Sequence, residues 1–467
     1  MRQLHVFFLP LMAHGHMIPA LDMAKLFSSR GLKTTIISTP SFSDPIRKAQ
    51  DSGFEVGLIT IRFPHQESGL PHHIVSLDQV TSDAKLLPKF FKALSLIQDP
   101  VEKLIQDLNP DCLVSDMFLP WTADSAVKFG IPRLVFHGTS YFSLCVSEEM
   151  RRHKPFKNVD SDSEPFIVPN LPHQVKLVKT QVSDYNLQEK KDDFTMWINQ
   201  MKDSDARSYG VVVNSFHELE PDYADHYRKV LGRKAWSLGP LSLCSNADEV
   251  RGEREQCLAW MDSKKANSVV YMCFGSMAKF TPAQLTEIAN GLDESGQDFI
   301  WVVRKGKEDE NEEWMPPRFE ERIQGRGMII RGWAPQLAIL DHPALGAFVT
   351  HCGWNSTLEG VCAGVPMVTW PLFAEQFFNE KLVTEVLRIG VSVGNKKWQR
   401  GANEGVGGDA VAKAVRLVMV GEYAEEMRRR AANYKRMAKE AVEEGGSSYN
   451  DLTALIQDLS TYVPFNK

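Results

Sequence analysis

The chain lacks any stretch of about 18 uninterrupted apolar residues, so no segment of it is expected to span a membrane. It lacks a CxxC pair. Its seven cysteines, Cys112, Cys145, Cys244, Cys257, Cys273, Cys352 and Cys362, are scattered, and several fall inside apolar runs. That distribution argues against a zinc site or a disulfide framework and for free thiols in a reducing compartment. It lacks an excess of positive charge: the formal net charge is -6, spread along the chain, so no basic patch is expected to track a phosphate backbone and nucleic acid is not an expected partner. Three signatures are also missing. Without GxxxxGK[ST], without GxGxxG between a strand and a helix, and without GxSxG, the sequence offers no P-loop, no nicotinamide-binding turn and no serine-hydrolase elbow.

The chain has 467 residues, more than one ordinary core accommodates, and with 43% apolar and 24% charged residues it reads as globular. Its opening, MRQLHVFFLPLMAHGHMIPAL, does not read as a secretory leader: Pro10, His14 and His16 break the apolar run and only Arg2 precedes it. It reads instead as a buried strand, a loop and a helix, and the expected compartment is the cytoplasm. Short β-rich runs alternate with helix-like stretches throughout, the pattern of parallel sheets covered by helices. In the first half the runs are LHVFFLP, KTTIIST, FEVGLITI, DCLVSD, PRLVFH and GVVVNSF; in the second, SVVYMCFGS, DFIWVVRK, GMIIRGW, GAFVTH, VPMVTW and GVSVG. Between them, residues 241–255 lose periodicity and read as a linker. The expected class is therefore α/β with two doubly wound parallel-sheet domains facing across a cleft, residues 1–242 and 250–446. A final amphipathic helix at 447–467 is expected to join the first domain, with capping of the second as the alternative. The acidic run EDENEE, 308–313, reads as solvated loop, and a monomer is expected.

One turn stands out, THCGWNSTLEGVCAGVP, from Thr350 to Pro366. A strand ends at Thr350, Gly353 allows a ligand close to the backbone, Asn355 and Ser356 suit a helix cap, and Gly364 suits its stop. The unpaired N–H groups and dipole of such a first turn favour an anion, above all a phosphate, with His351 beside it as a further donor. Glu359, three residues past Ser356, shares its side of the helix and suits ribose hydroxyls.

The 44 residues from Trp333 to Gln376, which contain this turn, resemble the donor-binding box of plant UDP-sugar-dependent glycosyltransferases that act on small secondary metabolites. GHMIP near the N-terminus and the two-half layout extend the likeness to the whole chain. The resemblance implies the glycosyltransferase B fold, with two Rossmann-like domains. It also implies that Trp333 stacks on uracil, that Ala334 and Gln336 meet the base and ribose, and that Glu359 takes the ribose hydroxyls. His351, Gly353, Asn355, Ser356 and Ser276 would hold the diphosphate; Trp354, Glu375 and Gln376 would reach the sugar, and the final Gln implies glucose.

Transfer to an alcohol needs a base of near-neutral pKa, which histidine provides. MAHGHMIP offers His14 and His16, and the family's G-H-x-x-P pattern selects His16, with Asp116 at the end of DCLVSD as its orienting partner. Thr139 is expected to touch the sugar. Phe118, Trp121 and Phe373 are candidates for the wall around a small hydroxylated, hydrophobic acceptor of flavonoid, phenolic, triterpenoid or steroid type. Asp160-Ser161-Asp162 spells a metal-binding motif but sits in a polar loop, so no metal and no cofactor are expected beyond UDP-glucose as donor substrate. Direct displacement implies inversion to a β-glucoside. Another UDP-sugar (glucuronic acid, galactose or xylose) and a non-catalytic binding protein are the alternatives; keeping both His16 and Asp116 argues against the second.

Overall fold

The computed structural model describes residues 2–80, 83, 85–187, 193–244, 253–303 and 314–464. The centre of the expected linker and the EDENEE run lie outside the described residues. The chain forms two compact units, one of Met1–Tyr141, Gln188–Ser245 and Glu440–Lys467, the other of Phe142–Leu187 and Asn246–Lys439. The second unit thus takes in residues 142–187, which a division into consecutive halves leaves with the first. Two ties hold them there: Ser143 Oγ donates to Asn379 Oδ1 at 2.8 Å, and Trp398 N donates to the Thr180 carbonyl at 2.7 Å.

The first unit is built on seven strands, β1 (His5–Leu9), β2 (Lys33–Ser38), β3 (Val56–Thr60), β4 (Cys112–Asp116), β5 (Arg133–Phe136), β6 (Gly210–Val213) and β7 (Ala235–Ser237). They run parallel in the order β3-β2-β1-β4-β5-β6-β7. Val6 of β1 lies opposite both Thr34 of β2 and Cys112 of β4. Val6, Phe7, Phe8 and Leu9 are buried without alternation because the sheet is covered on both faces. The C-terminal helix, Ser447–Ser460, adds Leu452, Leu455 and Leu459 to this unit's core.

The second unit repeats the plan with β8 (Val269–Cys273), β9 (Asp298–Val303), β10 (Gly327–Arg331), β11 (Leu345–Thr350), β12 (Met367–Thr369) and β13 (Gly390–Ser392). All pairs are parallel, in the order β10-β9-β8-β11-β12-β13. In both sheets the strand order switches between the first and fourth strands. At such a switch point the loops leaving the two strands pass to opposite faces and leave a crevice at the carboxyl ends, the place where such sheets bind ligands. In the first unit these are the loops after β1 and β4, and in the second those after β8 and β11. No helix among the described residues is long and apolar enough to cross a membrane.

Candidate active site

In the first unit the crevice holds an imidazole oriented by a carboxylate. The helix that follows β1, α1 (His14–Ser29), begins at His14, so His16 lies in its first turn rather than in the preceding loop. Ala13 supplies no side-chain cap. The cap comes from Asp78, whose Oδ2 accepts the His14 N–H at 3.1 Å and lies 2.6 Å from His14 Nδ1. Burial pushes the Asp78 carboxyl up, but the hydrogen bonds from His14 and Ser76 outweigh it and hold the group below the usual carboxylate range. His16 Nδ1 lies 2.6 Å from Asp116 Oδ2, with side-chain exposures of 21% and 0%. Asp116 Oδ1 accepts from the Phe118 N–H at 2.9 Å, so both carboxylate oxygens are engaged and the side chain has one orientation. The Phe118 ring meets the His16 ring edge-on at 5.8 Å and stacks on Phe91 at 6.0 Å. In the loop after β5, Thr139 Oγ1 is buried with no hydrogen-bond partner among the described residues. Trp121 is buried in this unit's core, and its indole N–H donates to the Leu94 carbonyl at 3.0 Å.

In the second unit, β11 ends at Thr350 and the helix α2 (Trp354–Ala363) follows. Its cap residue is Gly353, and Gly364 ends it in the left-handed region. Asn355 and Ser356 are therefore inside the first turn and not N-caps, a shift of two to three residues from the sequence expectation. The turn is tight. Cys352 takes a positive φ of 63°, unusual for a side-chain-bearing residue, and Gly275 in the loop after β8 has φ 71°. A Cβ on Gly275 would stand 2.7 Å from His351 Cε1, so only glycine lets that loop, which carries Ser276, approach the ring. Trp354, at the helix start, is only 2% exposed.

Trp333 is 55% exposed, a large flat ring left in solvent, as a stacking platform requires. Ala334 is buried, and its carbonyl accepts the Gln336 N–H at 2.8 Å. Gln336 Nε2 donates to Glu359 Oε2 at 2.6 Å and to Ser356 Oγ at 3.1 Å, and its Oε1 accepts from Tyr271 at 3.2 Å. Burial pushes the Tyr271 hydroxyl well above the usual phenol range, which keeps it a donor. One amide thus joins the residues expected at the base, ribose and diphosphate.

After β12, Gln376 opens the short helix α3 (Gln376–Lys381). Its Oε1 accepts the N–H groups of Leu372 and Phe373 at 2.8 and 3.1 Å, which fixes the amide orientation. Its Nε2 donates no hydrogen bond among the described residues. Asn379, one turn on, donates to the Cys352 carbonyl at 2.8 Å and lies 3.5 Å from Glu375 Oε1, so it ties the 351–356 turn to the 375–376 loop. Phe373 is a core residue of this unit, packed with Trp370 and Leu372.

The family described as UDP-glucoronosyl and UDP-glucosyl transferase matches residues 193–396. The whole chain is 59% identical over 474 residues to the scopoletin glucosyltransferase of Nicotiana tabacum, with 99% of each chain covered. The chain belongs to the plant UDP-glycosyltransferases. It is 51% identical to the anthocyanin 3'-O-beta-glucosyltransferase of Gentiana triflora, with 99% of each covered. Among solved structures, it superposes on Glycyrrhiza uralensis UGT73P12, crystallised with glycyrrhetinic acid 3-O-monoglucuronide, with a TM-score of 0.91 at 40% identity, covering 98% of this chain and 96% of that one. Phytolacca americana UGT2, in complex with UDP-2fluoro-glucose and pterostilbene, gives a TM-score of 0.80 at 25% identity, covering 98% and 100%. The two parallel-sheet units are the GT-B fold, and the enzyme is a glycosyltransferase of secondary metabolites.

Two residues of this glycosyltransferase's site escape a reading of the sequence. Asp78 reaches α1 from 64 positions away, with no local signal. Asn379 does leave a trace: it is a polar residue directly after the apolar pair Phe377-Phe378, at helical spacing from Glu375 and Gln376. Asp160 and Asp162 lie in an exposed turn.

Proposed function

We propose that this enzyme transfers glucose from UDP-glucose, with inversion, to a hydroxyl of a small hydrophobic plant metabolite, with His16 as general base and Asp116 as its orienting partner. The observation that carries the reading is the 2.6 Å contact between His16 Nδ1 and the wholly buried Asp116 carboxylate. With Nδ1–H donating to Asp116, the basic lone pair is on Nε2, and the carboxylate stabilises the imidazolium that forms. The acceptor O–H gives its proton to Nε2, its oxygen bonds to C1 of glucose, and the C1–O bond to UDP breaks through an oxocarbenium-like state. Attack from the face opposite the leaving group turns the α-linked donor into a β-glucoside.

The leaving diphosphate gathers charge as that bond breaks. The first-turn N–H groups of α2, with His351, Asn355, Ser356 and Ser276, are donors already in place and suit that charge without a cation. Among the described residues no three His, Cys, Asp or Glu side chains converge on a point as metal ligands do. Trp333 suits uracil and Glu359 the ribose. The Gln376 Nε2, which donates to nothing among the described residues, suits a glucose hydroxyl together with Glu375. Thr139 Oγ1, a buried hydroxyl with no partner among the described residues, suits the same sugar. Phe118, edge-on to His16, suits a flat or fused-ring acceptor. Relatives named for scopoletin and anthocyanin glucosylation favour glucose and a phenolic acceptor.

The test is product mass after incubation with a panel of UDP-sugars and hydroxylated aromatics or triterpenes in EDTA. A gain of one hexose from UDP-glucose, undiminished by the chelator, is expected; dependence on a divalent ion would overturn the metal-free leaving-group role. His16→Ala should lose about a hundredfold or more in kcat while still binding UDP, the usual worth of a positioned base. Glu359→Ala should instead raise the KM for UDP-glucose about tenfold, as loss of hydrogen bonds to a charged group does, and an unchanged donor KM would refute the ribose role.

A further inference from the structure

Behind the His16–Asp116 pair lies a cation that the proposed mechanism does not use. Arg133 opens β5 opposite Leu113 of β4 and is 2% exposed. Its fork is held by neutral oxygens. Nε donates to Ser115 Oγ at 2.8 Å, Nη1 to Ser208 Oγ at 2.7 Å, and Nη2 to the Asp116 backbone carbonyl at 3.3 Å. More distant contacts reach the Ser204 carbonyl and hydroxyl, both at 3.4 Å. No carboxylate lies within ion-pair distance of it among the described residues.

Burying a guanidinium without a direct counter-ion costs several kcal/mol. All the acceptors are neutral hydroxyls and carbonyls, so the hydrogen bonds explain a multiple donor here but leave the positive charge without a direct partner. Burial draws the Arg133 pKa down to about 10, with Asp205 and Asp116 pulling it back up, so the group is a cation at neutral pH. Its field therefore falls on two carboxylates, each paired with a histidine. Asp205 Oδ2 lies 3.1 Å from His137 Nε2. Burial pushes the Asp205 carboxyl up, but His137, Lys202 and Arg133 together hold it below the usual range. The other carboxylate is Asp116, the one behind the base. Asp124 and Arg207, paired with each other, complete the charged groups around Arg133.

We propose that Arg133 is a positioning residue for the transfer reaction: its charge, and not only its hydrogen bonds, holds the Asp116 carboxylate in place behind His16. The inference rests on the assignment of His16 as base. A buried carboxylate is costly as an anion, and a nearby guanidinium offsets that cost. The Nη2 bond to the Asp116 carbonyl sets the end of β4 from which the side chain reaches His16.

The test compares Arg133→Lys, Arg133→Gln and Arg133→Met in the full-length enzyme. It follows kcat and KM for glucose transfer from UDP-glucose to a phenol over about pH 5.5 to 9, the range in which a histidine base titrates, with UDP binding and thermal unfolding as controls. Removing a positive charge favours the protonated imidazole, so the acid limb of kcat should move to higher pH in the Gln and Met variants. Their kcat at neutral pH should fall about tenfold or more, the size of one close charge interaction, with the affinity for UDP kept. The Lys variant, which keeps the charge and loses the fork, should lose less and keep the acid limb where the parent has it. If Met does not fold, Gln against Lys carries the comparison. A limb at the parent position in the Gln variant, or equal losses in Lys and Gln that follow thermal stability, would show a structural tie and overturn the proposal. His16→Ala in the same assay separates the two readings: parental turnover by that variant brings down the base assignment, whereas an inactive His16→Ala beside an unshifted Gln variant brings down only the role of Arg133.

Discussion

Glu380 sits where water does not reach, four positions past Gln376, accepting hydrogen bonds from Thr369 Oγ1 at 2.8 Å and Ser392 Oγ at 3.0 Å. Burial pushes its carboxyl from 4.5 up to about 7, against the two hydroxyls and Lys381, which pull it back. Between those two values the folded enzyme holds a proton that the unfolded chain has released, so this group's contribution to stability falls as pH rises and its cost is complete above about 7. Glu380→Gln keeps an acceptor for both hydroxyls and removes the ionisation. The variant should gain stability over the parent as pH rises from about 5 to 8, by an amount on the order of 2 kcal/mol at the upper end. Thermal unfolding of both proteins across that range checks it, and a pH-independent difference would refute it. Residues of this kind are the least legible in a sequence. His16 and Asp116 stand in recognisable surroundings, G-H-x-x-P and a strand end, whereas Glu380 and Arg133 differ from surface Glu and Arg only through what the fold packs around them.

At the scale of elements, α1 depends on a cap from elsewhere in the chain. Asp78→Ala removes the acceptor of the His14 N–H and the partner of its imidazole, and leaves the first turn, with His16 in it, held by fewer bonds. The expected loss is about 1 kcal/mol of stability, the usual worth of an N-cap, with a lowered kcat for transfer. On the proposed reading UDP is held by groups of the second unit, so its affinity is the control, and unchanged stability and turnover would show the cap to be idle. The strands themselves were easily read. Each of the twelve β-rich runs holds a strand, because strands covered on both faces are continuous apolar runs bounded by polar turns. β7 was missed because Ala235-Trp236-Ser237 is short and forms no continuous apolar run. The start of α2 was placed two to three residues late because Asn355 and Ser356 have the chemistry of caps, while Gly353 performs the role through backbone conformation alone.

At the scale of the whole molecule, the last helix belongs to the first unit. Asp451 Oδ2 accepts the Ser237 N–H at 2.7 Å and the Arg228 Nη2 at 2.6 Å, and the Arg30 guanidinium lies 3.8 Å from the Tyr449 ring centroid. Leu455→Ala should cost about 2 to 5 kcal/mol, the range for a buried leucine that leaves a cavity. Denaturant unfolding measures it, and a loss below about 0.5 kcal/mol, the level of a surface substitution, would contradict the core placement. The amphipathic pattern of this segment announced a buried face. Periodicity alone reports that a helix is covered and not by what, so joining the first domain stood beside capping the second as an expectation. Residues 142–187 were misplaced for the same reason, since their ties to Asn379 and Trp398 are contacts over long separations. Because Leu452, Leu455 and Leu459 follow the second unit in the sequence, a ribosome makes that unit before the first can close. During synthesis the earlier-made sheet therefore waits longer, with part of its apolar face bare, and a nascent chain of this enzyme is a natural client for chaperones until those leucines emerge.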